Sequence, residues 1–168
     1  MRVSKSSKVG NFICWVDIPK IDKTKIKNEL PLKECLRVFV WYVHFIMYDK
    51  DVQEKGIIVV ENCGKKGLFE LCTLLPMNVA DELDKLMSGV LPVRLVKMYF
   101  LESPKWMQTF LNFMSMFMSE KIIKRLVFLN KWSDVGECLG EKCIPKNFGE
   151  LEGQLEVDAI ETELRLFT

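Results

Sequence analysis

The sequence predicts an α/β fold, with a mostly parallel central sheet flanked by helices. Short runs rich in β-branched and aromatic residues alternate along the chain with longer segments of helical period. One of these runs, GIIVV at 56–60, is apolar without a break, as a strand covered on both faces must be. Strands that alternate with helices imply crossover connections, and crossovers imply parallel neighbours.

NFICWVDI (11–18) makes the first strand, closed by Pro19. Pro31 opens a helix, because a missing N–H costs nothing there, and Leu32, Leu36, Phe39, Val40, Val43 and Met47 keep helical spacing behind it. GIIVV is the second strand, reached through a charged turn. Residues 76–88 form an amphipathic helix, with Val79, Leu83, Leu86 and Met87 inward and Asp81, Glu82, Asp84 and Lys85 outward. RLVKMYFL (94–101) is the third strand, and Pro104 marks the start of the next helix. LVFLN (126–130) is the fourth strand, followed by a short helix at 132–139. No repeat, low-complexity tract or linker interrupts the series. The 168 residues are expected to be one domain, 1–168, with its core at about 10–150.

A hydrophobic content of 49% and a net charge of +1 exclude a disordered chain. The N-terminus, MRVSKSSKVG, has charges but no apolar stretch and so is no secretory signal. Six cysteines (14, 35, 63, 72, 138, 143) include no C-x-x-C pair, which fits reduced, buried thiols in a cytosolic protein. Charge is uneven: residues 1–33 carry eight Lys or Arg against three acids, and residues 149–168 carry six acids against Arg165. Two solvated ends that attract each other account for this better than a basic surface for phosphates.

No catalytic constellation emerges. His44, in WYVHFIM, has no oriented third group and is expected to be a satisfied structural histidine. The C-x4-C at 138 and 143 is no metal site by itself, so neither metal nor other cofactor is expected. NCGKKG (62–67) lacks the spacing of a phosphate loop. Aromatics are not interleaved with Lys in a basic groove, which argues against nucleic acid. A small α/β hydrolase would need a nucleophile at a strand end, where Cys63 stands.

The stretch WMQTFLNFMSMFMSEKI (106–122) has no charge between Lys105 and Glu120, a run of 14 residues. That is too short to span a bilayer, which takes roughly 20 apolar residues. Gln108, Asn112, Ser115 and Ser119 share one stripe, and the rest of the circumference is apolar. Such a helix is buried, lies on a membrane, or covers something oily.

The order of parts is that of a known family. GIIVVENCG is followed by a helix ending in VLPVRLVKMYFLESP, then the long apolar helix, SEKIIKRLVFL and IPKNFG. The series resembles the CRAL-TRIO lipid-binding domain of retinaldehyde-binding, tocopherol-transfer and phosphatidylinositol-transfer proteins. Glu61 and Gly64 fit its acid-x-x-Gly, and Leu91, Pro92 and Arg94 fit its "yP-x-r" turn. Glu102-Ser103-Pro104 stands for its "NaP", and Ile144, Pro145, Phe148 and Gly149 for its closing "lP-x-x-fGG", with Glu150 replacing the last glycine. The helical lobe that usually precedes the domain is expected to be absent.

The resemblance implies a lipid-binding and transfer protein, not an enzyme. Its helix at 106–118 would be a mobile gate over a hydrophobic cavity floored by the sheet. Ile58, Val60, Tyr99 and Leu101 are expected near the ligand from the strands, and Phe110, Phe113, Met114, Phe117 and Met118 from the gate. Lys121, Lys124 and Arg125 would meet anionic headgroups, phosphoinositides among them, at a membrane surface. Val93 stands where phosphatidylinositol-transfer relatives place an acid, so a tocopherol- or retinoid-like ligand fits better than that phospholipid. The expected state is a cytoplasmic monomer, peripherally membrane-associated. The competing expectation is an interaction module that keeps the fold and has lost lipid transfer.

Overall fold

The computed structural model describes residues 2–22, 24, 31–64, 66, 67, 70, 85, 92–114, 120–145 and 148. The side chains of residues 2, 32, 35, 110, 111, 113, 114 and 122 are outside that description. Five strands form one sheet: β1 (Arg2–Lys5), β2 (Phe12–Asp17), β3 (Ile57–Asn62), β4 (Leu95–Leu101) and β5 (Leu126–Leu129). They lie in the order β1-β2-β3-β4-β5, with β1 antiparallel to β2 and every later pair parallel. The expected mostly parallel sheet is therefore present. Strand β1 was not expected.

Helix α1 (Leu32–Ile46) starts directly after Pro31 and turns Val43 and Ile46 inward. Val40, which shares the helical spacing of the apolar positions, is exposed, as are Val38, Trp41 and Tyr48. Where a charged turn was expected there is a helix, α2 (Lys50–Lys55). The Asp51 N–H donates to Asp49 Oδ1 at 2.7 Å to cap its start. Gly56 ends it at φ 77°, where a Cβ would stand 2.3 Å from the Arg94 carbonyl oxygen. Helix α3 (Lys105–Met114) follows Pro104 as expected, and α4 (Glu120–Ile123) leads into β5. Helix α5 (Trp132–Leu139) comes last, followed by a 3-10 turn at Glu141–Cys143. Apart from Lys85, the helix expected at 76–88 lies outside the described residues, as do residues 149–168, whose acids were expected to attract the basic N-terminal end.

Right-handed crossovers between parallel strands laid down in chain order all fall on one face of the sheet. The packing agrees. Ile46 of α1 joins Cys14, Val52 and Ile57, and Met107 of α3 packs on Ile18, Cys63 and Phe100. Helix α5 covers the other face, where Trp132, Val135 and Leu139 meet Ile13, Trp15, Ile58, Val60, Tyr99 and Leu101. Phe148 completes that side, edge-on to Trp15 with ring centroids 5.9 Å apart and to Trp132 at 6.1 Å.

Strand β1 holds the N-terminal edge through buried serines. Trp15 Nε1 donates to Ser4 Oγ at 2.7 Å, and Ser4 Oγ donates to the Cys143 carbonyl at 2.7 Å. Ser6 Oγ donates to the Leu139 carbonyl, also at 2.7 Å. Outside, Lys5 and Lys55 flank Asp51 and hold its carboxyl down to about 2. Replacing Ser4 by Ala leaves a buried indole N–H and a buried carbonyl without partners, at about 1–3 kcal/mol each. We expect Ser4→Ala to lower the urea midpoint by an amount that corresponds to a few kcal/mol. An unchanged midpoint would show that water replaces the hydroxyl.

Candidate functional site

The two faces of the sheet are filled differently. Under α5, one apolar cluster runs unbroken from β2 to β5. On the crossover face, the described residues form two clusters. One holds Cys14, Ile46, Val52 and Ile57, with Val59 and Leu95 against it; the other holds Ile18, Cys63 and Phe100, with Met98, Met107 and Phe128. Along β3 the divide falls at Glu61, between Val59 and Cys63. Its register neighbours are Val16 on β2 and Phe100 on β4, so an acid stands in the middle of an apolar surface.

The Glu61 carboxyl has no hydrogen bond or ion pair among the described residues. Burial pushes it up to about 7, because a charge there loses water and gains no partner. The chain just beyond is tightly held. Gly64 sits at φ 57°, where a Cβ would stand 2.2 Å from Pro19 Cγ, and its N–H donates to Asn62 Oδ1 at 3.1 Å. Asn62 Nδ2 in turn donates to Asp17 Oδ1 at 3.0 Å. These contacts fix the end of β3, and with it the direction of Glu61.

A second polar atom on the same face lacks a partner among the described residues: the buried Tyr42 hydroxyl of α1. The tyrosine packs against the cluster of Cys14 and Ile57. The thiols there are not nucleophiles. Burial pushes both Cys14 and Cys63 up to about 12, which keeps them protonated at neutral pH. Cys63 Sγ lies 3.9 Å from Met107 Sδ, and His44 stands exposed on α1, 3.3 Å from the Tyr48 hydroxyl. The expected satisfied histidine is thus a surface one. Among the described residues there is no cluster of three His, Cys, Asp or Glu that could hold a metal ion.

The expected strand residues and Met107 of α3 lie on opposite faces of the sheet. Ile58, Val60, Tyr99 and Leu101 are all buried in the cluster beneath α5, opposite the face that Met107 touches. The reason is the strand period of two: one residue of register separates Ile58 from Val59 and Tyr99 from Phe100. Phe110, Phe113 and Met114 belong to α3 by backbone, with their side chains outside the description, and Phe117 and Met118 lie outside the described residues. Lys121 and Lys124 are exposed and Arg125 is half-buried at the α4–β5 junction. Lys124 Nζ lies 3.2 Å from Glu120 Oε2. Two features have no counterpart among the expectations from sequence. Tyr42 gives no signal there, since it lies in a helix whose apolar positions all read as core. Glu102, at φ 50°, holds a left-handed conformation at the exit of β4, a strain of about 1–2 kcal/mol for a residue with a Cβ.

A five-stranded, mostly parallel sheet with helices on both faces defines an α/β domain. The sequence profile of the CRAL/TRIO domain matches residues 3–149, and the chain belongs to that family. CRAL/TRIO domains bind small hydrophobic ligands and are typically binding or transfer modules. No curated protein was found to match the chain. No helix among the described residues is long and apolar enough to cross a membrane.

The raised Glu61 group gives a testable dependence on pH. Between the ordinary carboxyl value of about 4.3 and the folded value of about 7, the folded protein keeps a proton that the unfolded chain has lost. Stability attributable to this group is therefore highest at acid pH and falls as pH rises through that window, by up to about 3 kcal/mol. We expect Glu61→Gln to abolish this slope, so that ligand-free variant and wild type differ more at pH 8 than at pH 5 in urea unfolding. Parallel pH profiles would mean that Glu61 is solvated or paired.

Proposed function

We propose that the protein binds a small hydrophobic ligand between the crossover face of the sheet and α3, and exchanges it at a membrane surface. One observation carries this reading: a partly buried Glu61 carboxyl, unpaired among the described residues, at the break between two apolar clusters, on the face that Met107 of α3 touches. A buried polar group without a partner is a standing cost, and functional sites are where proteins keep such costs. In this reading the strand lining is Val59, Met98, Phe100 and Phe128, one register step from the residues expected from the sequence. Phe110, Phe113, Met114, Phe117 and Met118 supply the opposite wall as a gate. Adaptable Met and Phe suit a flexible acyl or isoprenoid chain.

The chain acts as a single domain, a cytoplasmic monomer that visits membranes peripherally. Its ligand is closer to a tocopherol or retinoid than to a phosphatidylinositol. Val93 packs against the Cys14 cluster and offers an inositol headgroup nothing to bond. One observation favours the rival reading, a protein-interaction module without transfer. Val38, Trp41 and Tyr48 of α1 and its C-terminal end are 60, 51 and 76% exposed, an apolar stripe of the kind that partners cover. Mass spectrometry of organic extracts from the natively purified protein separates the two readings. A stoichiometric lipid supports binding, and a protein that stays lipid-free and takes up none from vesicles supports the rival.

The gate and its flank generate two more expected outcomes. Phe113→Asp places a carboxylate in an uncharged, Phe-rich surface, so we expect a folded protein with lipid loading reduced at least tenfold. Undiminished binding of a fluorescent lipid would remove Phe113 from the pocket wall. Each Lys or Arg near an anionic leaflet is worth about 1 kcal/mol, so replacing Lys121, Lys124 and Arg125 by Ala should weaken binding to anionic vesicles by about a hundredfold. Transfer from neutral vesicles should change little. Equal rates on phosphoinositide-containing vesicles would return these cations to the role of ordinary helix-end charge, which the Lys124–Glu120 pair already illustrates.

A further inference from the structure

Helix α1 turns Val43 and Ile46 into the core and leaves Val38, Trp41 and Tyr48, on the helix and just past its end, more than half exposed. With Phe45 these three fall at steps of three, four and three, one stripe about 15 Å long. Trp41 stacks on Phe45 with ring centroids 5.9 Å apart, and Tyr48 meets His44 edge-on at 5.2 Å. Along one side of the stripe run Lys33, Arg37 and His44, all exposed, at steps of four and seven. The single acid of α1, Glu34, is held by Arg37 at 3.1 Å, and Lys33 has no ion pair among the described residues. The outward side of α1 is thus apolar and aromatic, with a border of cations.

Cys14, Val59 and Met98 stand side by side in the register of β2, β3 and β4. Ile46 of α1 packs with Cys14, and Met107 of α3 belongs to the cluster that Met98 joins. The two helices therefore lie in one layer, and their outward sides face the same way. We propose that the α1 stripe is a second membrane contact, apart from the gate and the cations that follow it. Trp41 and Tyr48 sit at headgroup level, and Lys33 and Arg37 meet lipid phosphates. Trp and Tyr suit that depth because each joins an apolar ring to a polar atom. An apolar stripe bordered by cations is the make-up of a helix that lies in an interface. The proposal rests on the reading of exchange at a membrane and goes further, fixing which side of the molecule meets the bilayer. It assigns the exposed stripe to lipid rather than to a protein partner.

The test uses phosphatidylcholine vesicles, with and without phosphatidylserine, and two variants. Combined Trp41→Ser and Tyr48→Ser should weaken binding to both kinds of vesicle by about tenfold, because the contact is chiefly apolar. It should melt no lower in solution, since both side chains are exposed. Trp41→Phe keeps an apolar ring and should bind nearly as well as wild type. It should nevertheless lose part of the tryptophan quenching that bromine-labelled phosphatidylcholine causes in wild type, while Trp15 and Trp132 stay buried in both. Quenching that is equal in wild type and Trp41→Phe overturns the proposal, even where the double variant melts lower and binds poorly. A double variant that binds like wild type also overturns it and leaves exchange at a membrane standing. Wild type that sediments as a dimer, with the double variant a monomer of undiminished vesicle binding, gives the stripe to a second copy instead. Wild type that binds neither kind of vesicle removes the membrane reading itself, and this contact with it.

Discussion

Four parallel strands that neighbour one another in chain order leave their connections no choice of side. A right-twisted strand feeding a right-handed crossover packs back onto only one face, and the described connecting helices obey this: α1, between β2 and β3, and α3, between β4 and β5, pack on the same face. The segment after β5 has the opposite face to itself. Helix α5, the turn after it and Phe148 occupy that face completely, with Trp15, Leu101, Leu139 and Ile144 all but inaccessible to water. Labour is thereby divided within one sheet. Among the described residues, one face holds a single packed cluster from β2 to β5, and the other holds two smaller ones.

The elements were legible because their signals are local. Pro31 and Pro104 mark helix starts, and the β-branched runs around 13–16, 57–60 and 126–129 mark strands. The facing of those strands was not legible. Ile57, Ile58, Val59 and Val60 are apolar at every position, so both registers satisfy the hydrophobic pattern and only the route of the crossovers decides between them. The acid that ends the run carried the missing information, since a carboxyl survives more readily on the face with room beside it. Strand β1 was illegible for another reason. RVSK has one large apolar residue, and its stability comes from serine hydroxyls bonded to backbone far along the chain.

Groups on the crossover face work against stability. The Tyr42 hydroxyl is buried without a partner among the described residues, at a cost of about 1–3 kcal/mol, and the partly buried Glu61 carboxyl is pushed up to about 7 by desolvation. Glu102 adds backbone strain at the point where β4 turns toward α3, although its N–H still donates to the Leu129 carbonyl at 3.1 Å. The α5 face shows no comparable defect among its described residues. A protein that concentrates its unsatisfied groups on the covered, segmented side will lose order there first, and a molecule that satisfies those groups will tighten that side selectively.

The bond from Ser4 to the Cys143 carbonyl joins residues 139 positions apart, and the Trp15 ring waits for Phe148 to close over it. On a ribosome adding about 5–20 residues per second, the first strands emerge some 7–30 s before the residues that seal them. During that interval Ile13 and Trp15, and later Ile58 and Val60, have not yet met the side chains that cover them in the folded protein. The cover for these side chains is made only when residues 132–148 have been added.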